Sequence, residues 1–408
     1  MDLLRVLLFS VIAIDLLFLP HFLYLALVTM AALRTRFRAG PPGIRGHRFQ
    51  IVIPAHDEEA GIARTVRGCL AIAYPRELFE VVVIADNCQD RTAELARDAG
   101  AIVIQRDDPE HRSKGHALRF YFERLVSSGR VDELDAVVVI DADSQADPNL
   151  LSELSRLLAE GHDWIQVYDT VANPDESWRT RLMTYSFSLI NGTFLLGQVA
   201  LGLSGGFRGN GMCLSTRGLK RFPWRSFGLA EDFDHSWRLR LAGERIAFTS
   251  QTAVRALMLS RGGGAAASQR RRWEFGRREV SRRALGPLLR TTRLPLREKL
   301  AGLLELTMPT MAGLGMLCGV SILLSASLLA SGSAAVSPHW MNLLLALTLT
   351  SSICLALYGL SPFLLFGLSW RILSSLFYFP FYALWKYALL LGGPPNRWVR
   401  TGRQDVLA

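Results

Sequence analysis

The chain is poor in the residues that build metal and disulfide frameworks. Its 408 residues include five cysteines. Cys69, Cys88, Cys213, Cys318 and Cys354 form no C-x-x-C pair and show no metal-ligand spacing, which excludes a structural zinc module and fits a reduced compartment. Eight histidines are present, but no H-E-x-x-H, so zinc-protease chemistry has no foundation. Internal repeats and low-complexity tracts are missing too, which excludes a solenoid or a biased linker protein. Acidic residues are outnumbered, 36 Asp and Glu against 46 Lys and Arg, leaving a net charge of +10. That excess does not form a nucleic-acid footprint. It lies beside apolar runs, as Arg34, Arg36 and Arg38, as the block Arg270 to Arg283, and as Arg397, Arg400 and Arg403. Such placement is typical of cytoplasmic flanks of membrane segments, and no nucleic-acid partner is expected.

Apolar residues are abundant, at 50% of the chain, and the mean hydropathy of +0.21 points to a membrane portion within a chain long enough for two or three domains. The stretch from Leu3 to Leu33 is too long for a signal-peptide core and lacks a small-residue cleavage site, so it reads as a retained transmembrane helix. Asp15, Pro20 and His21 interrupt it and predict a kink, a steep tilt or an interfacial first turn. The following arginines place the next residues in the cytoplasm, after a Pro/Gly linker from Gly40 to Gly46. Further spans are expected near 311–331 and 341–367, joined by the external loop "SGSAAVSPHW". The stretch 372–392 carries Lys386 between Arg371 and Arg397. Spanning would put the arginine-rich tail outside, so an interfacial helix and three crossings in total are expected. A helix around 293–308 also reads as interfacial.

Between these segments the texture is alternating α/β. "FQIVIPA" (Phe49 to Ala55), "EVVVIAD" (Glu80 to Asp86), "AIVIQ" (Ala101 to Gln105) and "DAVVVIDAD" (Asp135 to Asp143) alternate with helical patterns near 58–72, 90–99, 114–126 and 148–159. Continuous apolar strands separated by helices predict a parallel sheet covered on both faces, a Rossmann-like layout with its ligand beyond the carboxyl ends of the strands.

Acidic residues recur at those ends. Asp86 follows "VVVIA", Asp141 and Asp143 follow "AVVVI", and Glu231 with Asp232 open the helical pattern "EDFDHSWRLRLAG". Carboxylates without an obvious share of partner cations are costly unless something positive binds, and a divalent metal carrying a diphosphate is the natural candidate. Alternation along a strand would let Asp141 and Asp143 reach one ligand, although D-x-D after a strand is also a common turn. "IADNCQD" is equally explained by caps before a helix. Lys114 in "KGHAL" could meet phosphate or be a solvated first-turn lysine. In "GFRGNGMCLS", Gly209 and Asn210 are candidates for close backbone approach to an acceptor, while a sharp bend into a strand needs glycines as well. In "SQRRRWEFGRRE", Gln269, Arg272 and Trp273 share a helix face. There a guanidinium fork suits diphosphate and an indole suits a sugar ring, and a membrane-surface helix would use the same residues on headgroups.

In order and spacing, "VIPAHDEE", "IADNCQD", "KGHAL", "DADS", "GNGMCLS", "AEDFDHSWRLRLAGE" and "QRRRW" resemble the membrane-bound family 2 glycosyltransferases. That group comprises cellulose, chitin and hyaluronan synthases and bacterial exopolysaccharide enzymes. The resemblance covers about residues 45–290 and implies an α/β GT-A catalytic domain there, between an N-terminal transmembrane segment over 1–38 and interfacial helices plus a C-terminal transmembrane region over 291–408. It also implies an inverting hexosyltransferase that takes a nucleotide-diphosphate sugar, a UDP-sugar for preference, with Mg2+ or Mn2+.

Carried over residue by residue, Asp86 resembles the carboxylate that holds the nucleobase, with Lys114 also on the donor side. Asp141 would sit near the nucleotide and Asp143 on the metal. Asp232, beside Glu231, is similar to the family's general base. Gln269, Arg272 and Trp273 match Q-x-x-R-W, whose Arg steadies the departing diphosphate and whose Trp supports the acceptor. The expected product is a growing cell-surface or exported polysaccharide, with a single sugar added to a lipid-linked acceptor as the alternative. A catalytically silent nucleotide-sugar-binding subunit is the reading from another class. The expected setting is a bacterial inner (cytoplasmic) membrane, multi-pass, with the catalytic domain cytoplasmic. Expected partners are donor, glycan or lipid-linked acceptor, membrane lipid, and a homo-oligomer or export complex.

Overall fold

The computed structural model describes residues 3–35, 46–331 and 337–393. Arg36, Arg38, most of the Gly40–Gly46 linker, the centre of the 331–340 loop, and Arg397, Arg400 and Arg403 lie outside the described residues.

Among the described residues eight strands form one sheet: β1 (Phe49–Ala55), β2 (Phe79–Asp86), β3 (Ile102–Arg106), β4 (Ala136–Val139), β5 (Ser144–Ala146), β6 (Trp164–Val171), β7 (Met212–Ser215) and β8 (Ile246–Ala256). Their order is β3-β2-β1-β4-β7-β6-β8-β5. The β-branched runs become strands buried on both faces, and alternate residues divide between two cores. Ile51, Ile53, Val81, Val83 and Val138 join one. Val52, Val82, Ile84, Val137 and Val139 join the other.

The all-parallel sheet expected from the sequence holds for β3, β2, β1 and β4, but β7 runs antiparallel to both β4 and β6. The reason lies in the connection. After β6 the chain makes the helices Trp178–Phe187 and Leu195–Ala200, joined by a π-helical segment Ser188–Phe194. Leu189 and Phe194 of that segment pack with Phe22, Leu25 and Val28 of the first apolar helix. The chain therefore visits the membrane helices and re-enters at the end of the sheet it left, without the crossover that parallel neighbours require. "DAVVVIDAD" is also shorter as a strand than expected. It stops at Val139, and Asp141 and Asp143 belong to the turn before β5.

Among the described residues three helices, Arg5–Thr35, Met311–Ala330 and Pro338–Leu365, are long and apolar enough to cross a membrane. The first is one continuous helix that contains Pro20. Its polar residues find partners on neighbouring helices: Asp15 accepts from Ser321 Oγ at 2.9 Å, and His21 Nε2 lies 3.0 Å from Thr307 Oγ1. The last apolar stretch divides into Arg371–Ser375, a 3-10 turn Leu376–Tyr378, and the helix Phe379–Leu391 of 13 residues. At 1.5 Å per residue that helix is about 20 Å long, short of the ~30 Å hydrocarbon core. Docking of the α/β domain on the first helix is backbone to backbone: a Cβ on Gly197 would stand 2.0 Å from the Val28 carbonyl oxygen.

Candidate active site

The carboxyl ends of β1, β2 and β4 gather the predicted acids. Asp86 closes β2 and its register partner on β3 is Arg106. Arg106 Nη1 donates to Asp86 Oδ1 at 2.6 Å, and Asn87 Nδ2 donates to the same oxygen at 3.0 Å. Burial raises the Asp86 carboxyl, and Arg106 and Asn87 pull it back. The premise that these acids lack cations is therefore corrected twice. Lys114 Nζ lies 2.5 Å from Asp141 Oδ1 and also donates to the Gly209 carbonyl. Lys114 is not a solvated surface residue. Burial works against its charge, but Asp141, Glu231 and Asp232 outweigh it and raise its pKa.

Gly115 explains the rest of "KGHAL". A Cβ there would stand 2.2 Å from the Ser226 carbonyl oxygen, so only glycine admits the loop that leads into the helix Glu231–Leu241. Glu231 and Asp232 form that helix's first turn. Burial and the neighbouring Asp232 push the Glu231 carboxyl up to about 7. Burial raises Asp232 as well, against Lys114 and Arg208. Gly209, with φ +86°, passes so close that an added Cβ would be 3.3 Å from Asp232 Oδ2 and 3.8 Å from Lys114 Nζ. One lysine thus touches the Asp141 turn and the loop beside Asp232.

Asn210 holds the same place together from beneath. Its Oδ1 accepts from the Asp141 amide at 3.1 Å, and its Nδ2 donates to Ser144 Oγ at 3.0 Å and to Asp169 Oδ1 at 3.1 Å. Ser144 Oγ in turn donates to Asp143 Oδ1 at 3.0 Å. With both amide donors engaged and the residue 2% exposed, the Asn210 side chain braces the D-x-D turn.

Asp169 is the acid that reasoning missed. It lies in β6, buried at all eight positions, and accepts from Asn191 Nδ2 of the π-helical segment at 3.2 Å. Burial, then the charge of Asp141, with Asp143 adding to it, raise its carboxyl well above the usual range. Hard oxygen donors with mutually unfavourable charges suit Mg2+ or Mn2+, and Asp141, Asp143 and Asp169 fit that description. The available signal was a lone carboxylate inside a strand, WIQVYDTV, with no other charged residue. Arg208 was also missed; its Nε is buried without an acceptor.

Among the described residues, Asp57, Cys88 and Asp90 place ligand atoms within 4.8 Å of one another. Their carboxylates already accept from the Gln89, Glu59 and Thr92 amides. Burial pushes the Cys88 thiol up to about 11, so this group clasps a loop and makes a poor metal site.

The helix Gly264–Arg290 carries Gln269, Arg272 and Trp273. It meets the acid pair through Gly276, where a Cβ would stand 2.9 Å from Ala230 Cβ, one residue before Glu231. Trp273 packs with Val171, Met183, Ala256, Met258 and Phe187, and Ala256 pairs with Ser144 across β5 and β8. The indole is thereby brought to the strand ends beside the D-x-D turn.

Residues 47–276, more than half of the chain, match the family described as Glycosyltransferase like family 2. The chain is 30% identical over 198 residues to β-monoglucosyldiacylglycerol synthase of Trichormus variabilis, covering 47% of this chain and 41% of that protein. It is 28% identical over 153 residues to undecaprenyl-phosphate 4-deoxy-4-formamido-L-arabinose transferase of Pectobacterium carotovorum, covering 34% and 42%. The chain thus spans about two fifths of the length of these curated relatives. Among solved structures, the mannosyltransferase PcManGT from Pyrobaculum calidifontis, in complex with GDP-Man and Mn2+, superposes with a TM-score of 0.54 over 86% of this chain and 98% of its own, at 18% identity. That likeness is one of fold, the GT-A fold.

Proposed function

The chain belongs to the glycosyltransferase-like family 2, and from that premise we propose that it transfers a sugar, with inversion, from a nucleotide-diphosphate sugar to an acceptor carried on a lipid at the cytoplasmic face of a bacterial inner membrane. The observation that carries this reading is the Lys114 bridge between Asp141 and the Gly209 carbonyl beside Asp232. In this reading Asp141 stands on the donor side of that bridge and Asp232 is the base beside it. The catalytic unit is residues 45–290, with 1–38 and 291–408 as its membrane segments.

In this mechanism Asp86 meets the nucleobase, with Arg106 holding it in place. Asp143 and Asp141 would hold Mg2+ or Mn2+, whose charge would offset that of the diphosphate; the Pyrobaculum enzyme was solved with Mn2+. Asp232 takes the proton of the acceptor hydroxyl as its oxygen forms the new bond at the anomeric carbon and the nucleoside diphosphate leaves from the opposite face. Glu231 beside it keeps the pair more basic than ordinary carboxylates. Arg272 steadies the leaving diphosphate, and Trp273, with Gln269 on the same helix face, supports the acceptor. UDP is the favoured carrier, with GDP the carrier in the Pyrobaculum complex.

A lipid-borne acceptor is supported by the names of two relatives, which put the sugar on a diacylglycerol and on undecaprenyl phosphate, and by three apolar helices packed beside the domain. Repeated addition to a polysaccharide is the second reading, favoured by Q-x-x-R-W at Gln269, Arg272 and Trp273. The test is nucleotide release and product mass for a panel of UDP- and GDP-sugars, with the full chain in nanodiscs and membrane lipid extract as acceptor. One sugar on a lipid supports the first reading and a ladder of products the second. No turnover with any donor would return the catalytically silent subunit to the front.

A further inference from the structure

Away from the carboxylates, cations gather where the helices Trp178–Phe187, Gly264–Arg290 and Phe379–Leu391 meet. The Arg179 guanidinium lies over three rings, 5.6 Å from Trp178, 5.9 Å from Tyr382 and 5.0 Å from Trp385. Arg270 shares the Tyr382 ring at 5.4 Å and covers Trp273 at 5.3 Å. Lys386 Nζ is 2.5 Å from Glu274 Oε1, and Arg270 Nη1 reaches the same oxygen at 3.8 Å.

The charges do not cancel. Three cations, Arg179, Arg270 and Lys386, face one carboxylate, Glu274, and among the described residues no other carboxylate forms an ion pair with any of them. The local excess is therefore three minus one, or +2. Arg179 Nε is buried with no acceptor, and burial together with Arg270 lowers the proton affinity of Arg179. Aromatic faces ease such a charge but do not neutralise it. A partly dehydrated excess of this size is costly unless an anion binds.

The surroundings say where that anion comes from. On the outer side of the C-terminal segment, Phe377, Phe381, Leu384 and Leu391 are 83%, 72%, 65% and 90% exposed. An apolar strip of this kind, with Tyr and Trp on the inner side, belongs at the boundary of hydrocarbon and headgroups. Water-soluble anions reach such a place poorly, whereas lipid headgroups are already there.

We infer that Arg179, Arg270 and Lys386 form a binding site for the phosphate of a membrane lipid, presenting its head to the Trp273 side of the active site. The inference deepens the lipid-acceptor reading and rests on it. A phosphate monoester carries about −1.5 to −2 at neutral pH, which matches the excess, and two guanidinium forks can hold its oxygens.

The experiment measures binding, not turnover. The full chain in maltoside micelles is titrated with a polyprenyl monophosphate, with phosphatidylglycerol and with diacylglycerol, and complexes are counted by native mass spectrometry. Wild type is expected to prefer the phosphate lipids at least tenfold over diacylglycerol. Arg179→Gln and Arg270→Gln should each lose most of that preference, and Arg179→Lys, which keeps the charge, should retain part of it even if stacking suffers. Polyprenyl phosphate above phosphatidylglycerol would identify a monoester acceptor, and equal binding would identify bulk anionic lipid. A wild type indifferent to phosphate, or glutamine variants that keep the preference, would overturn the site. Intact binding with no sugar transfer to any lipid would instead count against the lipid-acceptor reading alone.

Discussion

Arg106 and Asp86 face each other across neighbouring strands with their nitrogen and oxygen 2.6 Å apart and their side chains 7% and 9% exposed. The acid that resembles a nucleobase ligand is thus part of a buried ion pair. Removing the cation leaves a carboxylate out of water with the Asn87 amide as its remaining side-chain donor. Arg106→Leu is expected to lower stability by about 3 kcal/mol and to raise the donor KM, read by urea unfolding and by initial rates. An unchanged unfolding midpoint would show that the pair adds nothing to the fold.

Asp232→Asn keeps the shape of the helix start and removes the proposed proton acceptor. Transfer should fall by about 10²- to 10⁴-fold, with donor binding changed far less. Calorimetric donor titration beside rate measurement separates the two, and near-normal turnover would move the base elsewhere, with Glu231 next in line.

The pair Glu231 and Asp232 fixes a pH dependence. Both carboxyls lie above their ordinary values, Glu231 at about 7 against 4.5. Transfer needs the ionised form, so the rate should rise with pH through neutrality and be lost on acidification. The stability sign is opposite. The folded state holds protons that the unfolded chain releases, so the pair's contribution to stability weakens as pH climbs from about 4.5 to about 7 and is level above it. A pH–rate profile and a melting series check the two limbs separately.

Gly115→Ala should damage the site without touching its chemistry. The new methyl would press on the Ser226 carbonyl oxygen, 2.2 Å away, and move the loop that places Glu231 and Asp232. Overpacking of this kind costs about 1–3 kcal/mol. The variant should melt earlier and lose most of its activity, while Gly129→Ala, with no atom within 4 Å of the added Cβ but a positive φ of its own, should affect only stability.

Chelation with EDTA should abolish transfer, and Mn2+ or Mg2+ should restore it. Asp143→Asn is expected to raise the metal concentration needed for half-maximal rate at least tenfold, because one of the proposed oxygen ligands loses its charge. Full activity in EDTA would remove the metal from the mechanism.

The sequence by itself determined the strands β1 and β2, the start of the helix at Glu231, the apolar helices, and Asp86 at the end of its strand. These depend on neighbours a few residues away: β-branched runs, acidic residues in a first helical turn and continuous hydropathy. It did not reveal that β7 runs backwards, because that depended on where the chain re-entered after packing on the membrane helices. Nor did it show that Asp141 and Asp143 sit in a turn, that Asn210 faces inward to Asp169, or that Arg106 meets Asp86 through strand register. The cluster of Arg179, Arg270 and Lys386 likewise exists only where three helices dock. Local conformation follows from local composition. The balance of charge at a point in space is set by tertiary packing, which brings distant side chains out of water together.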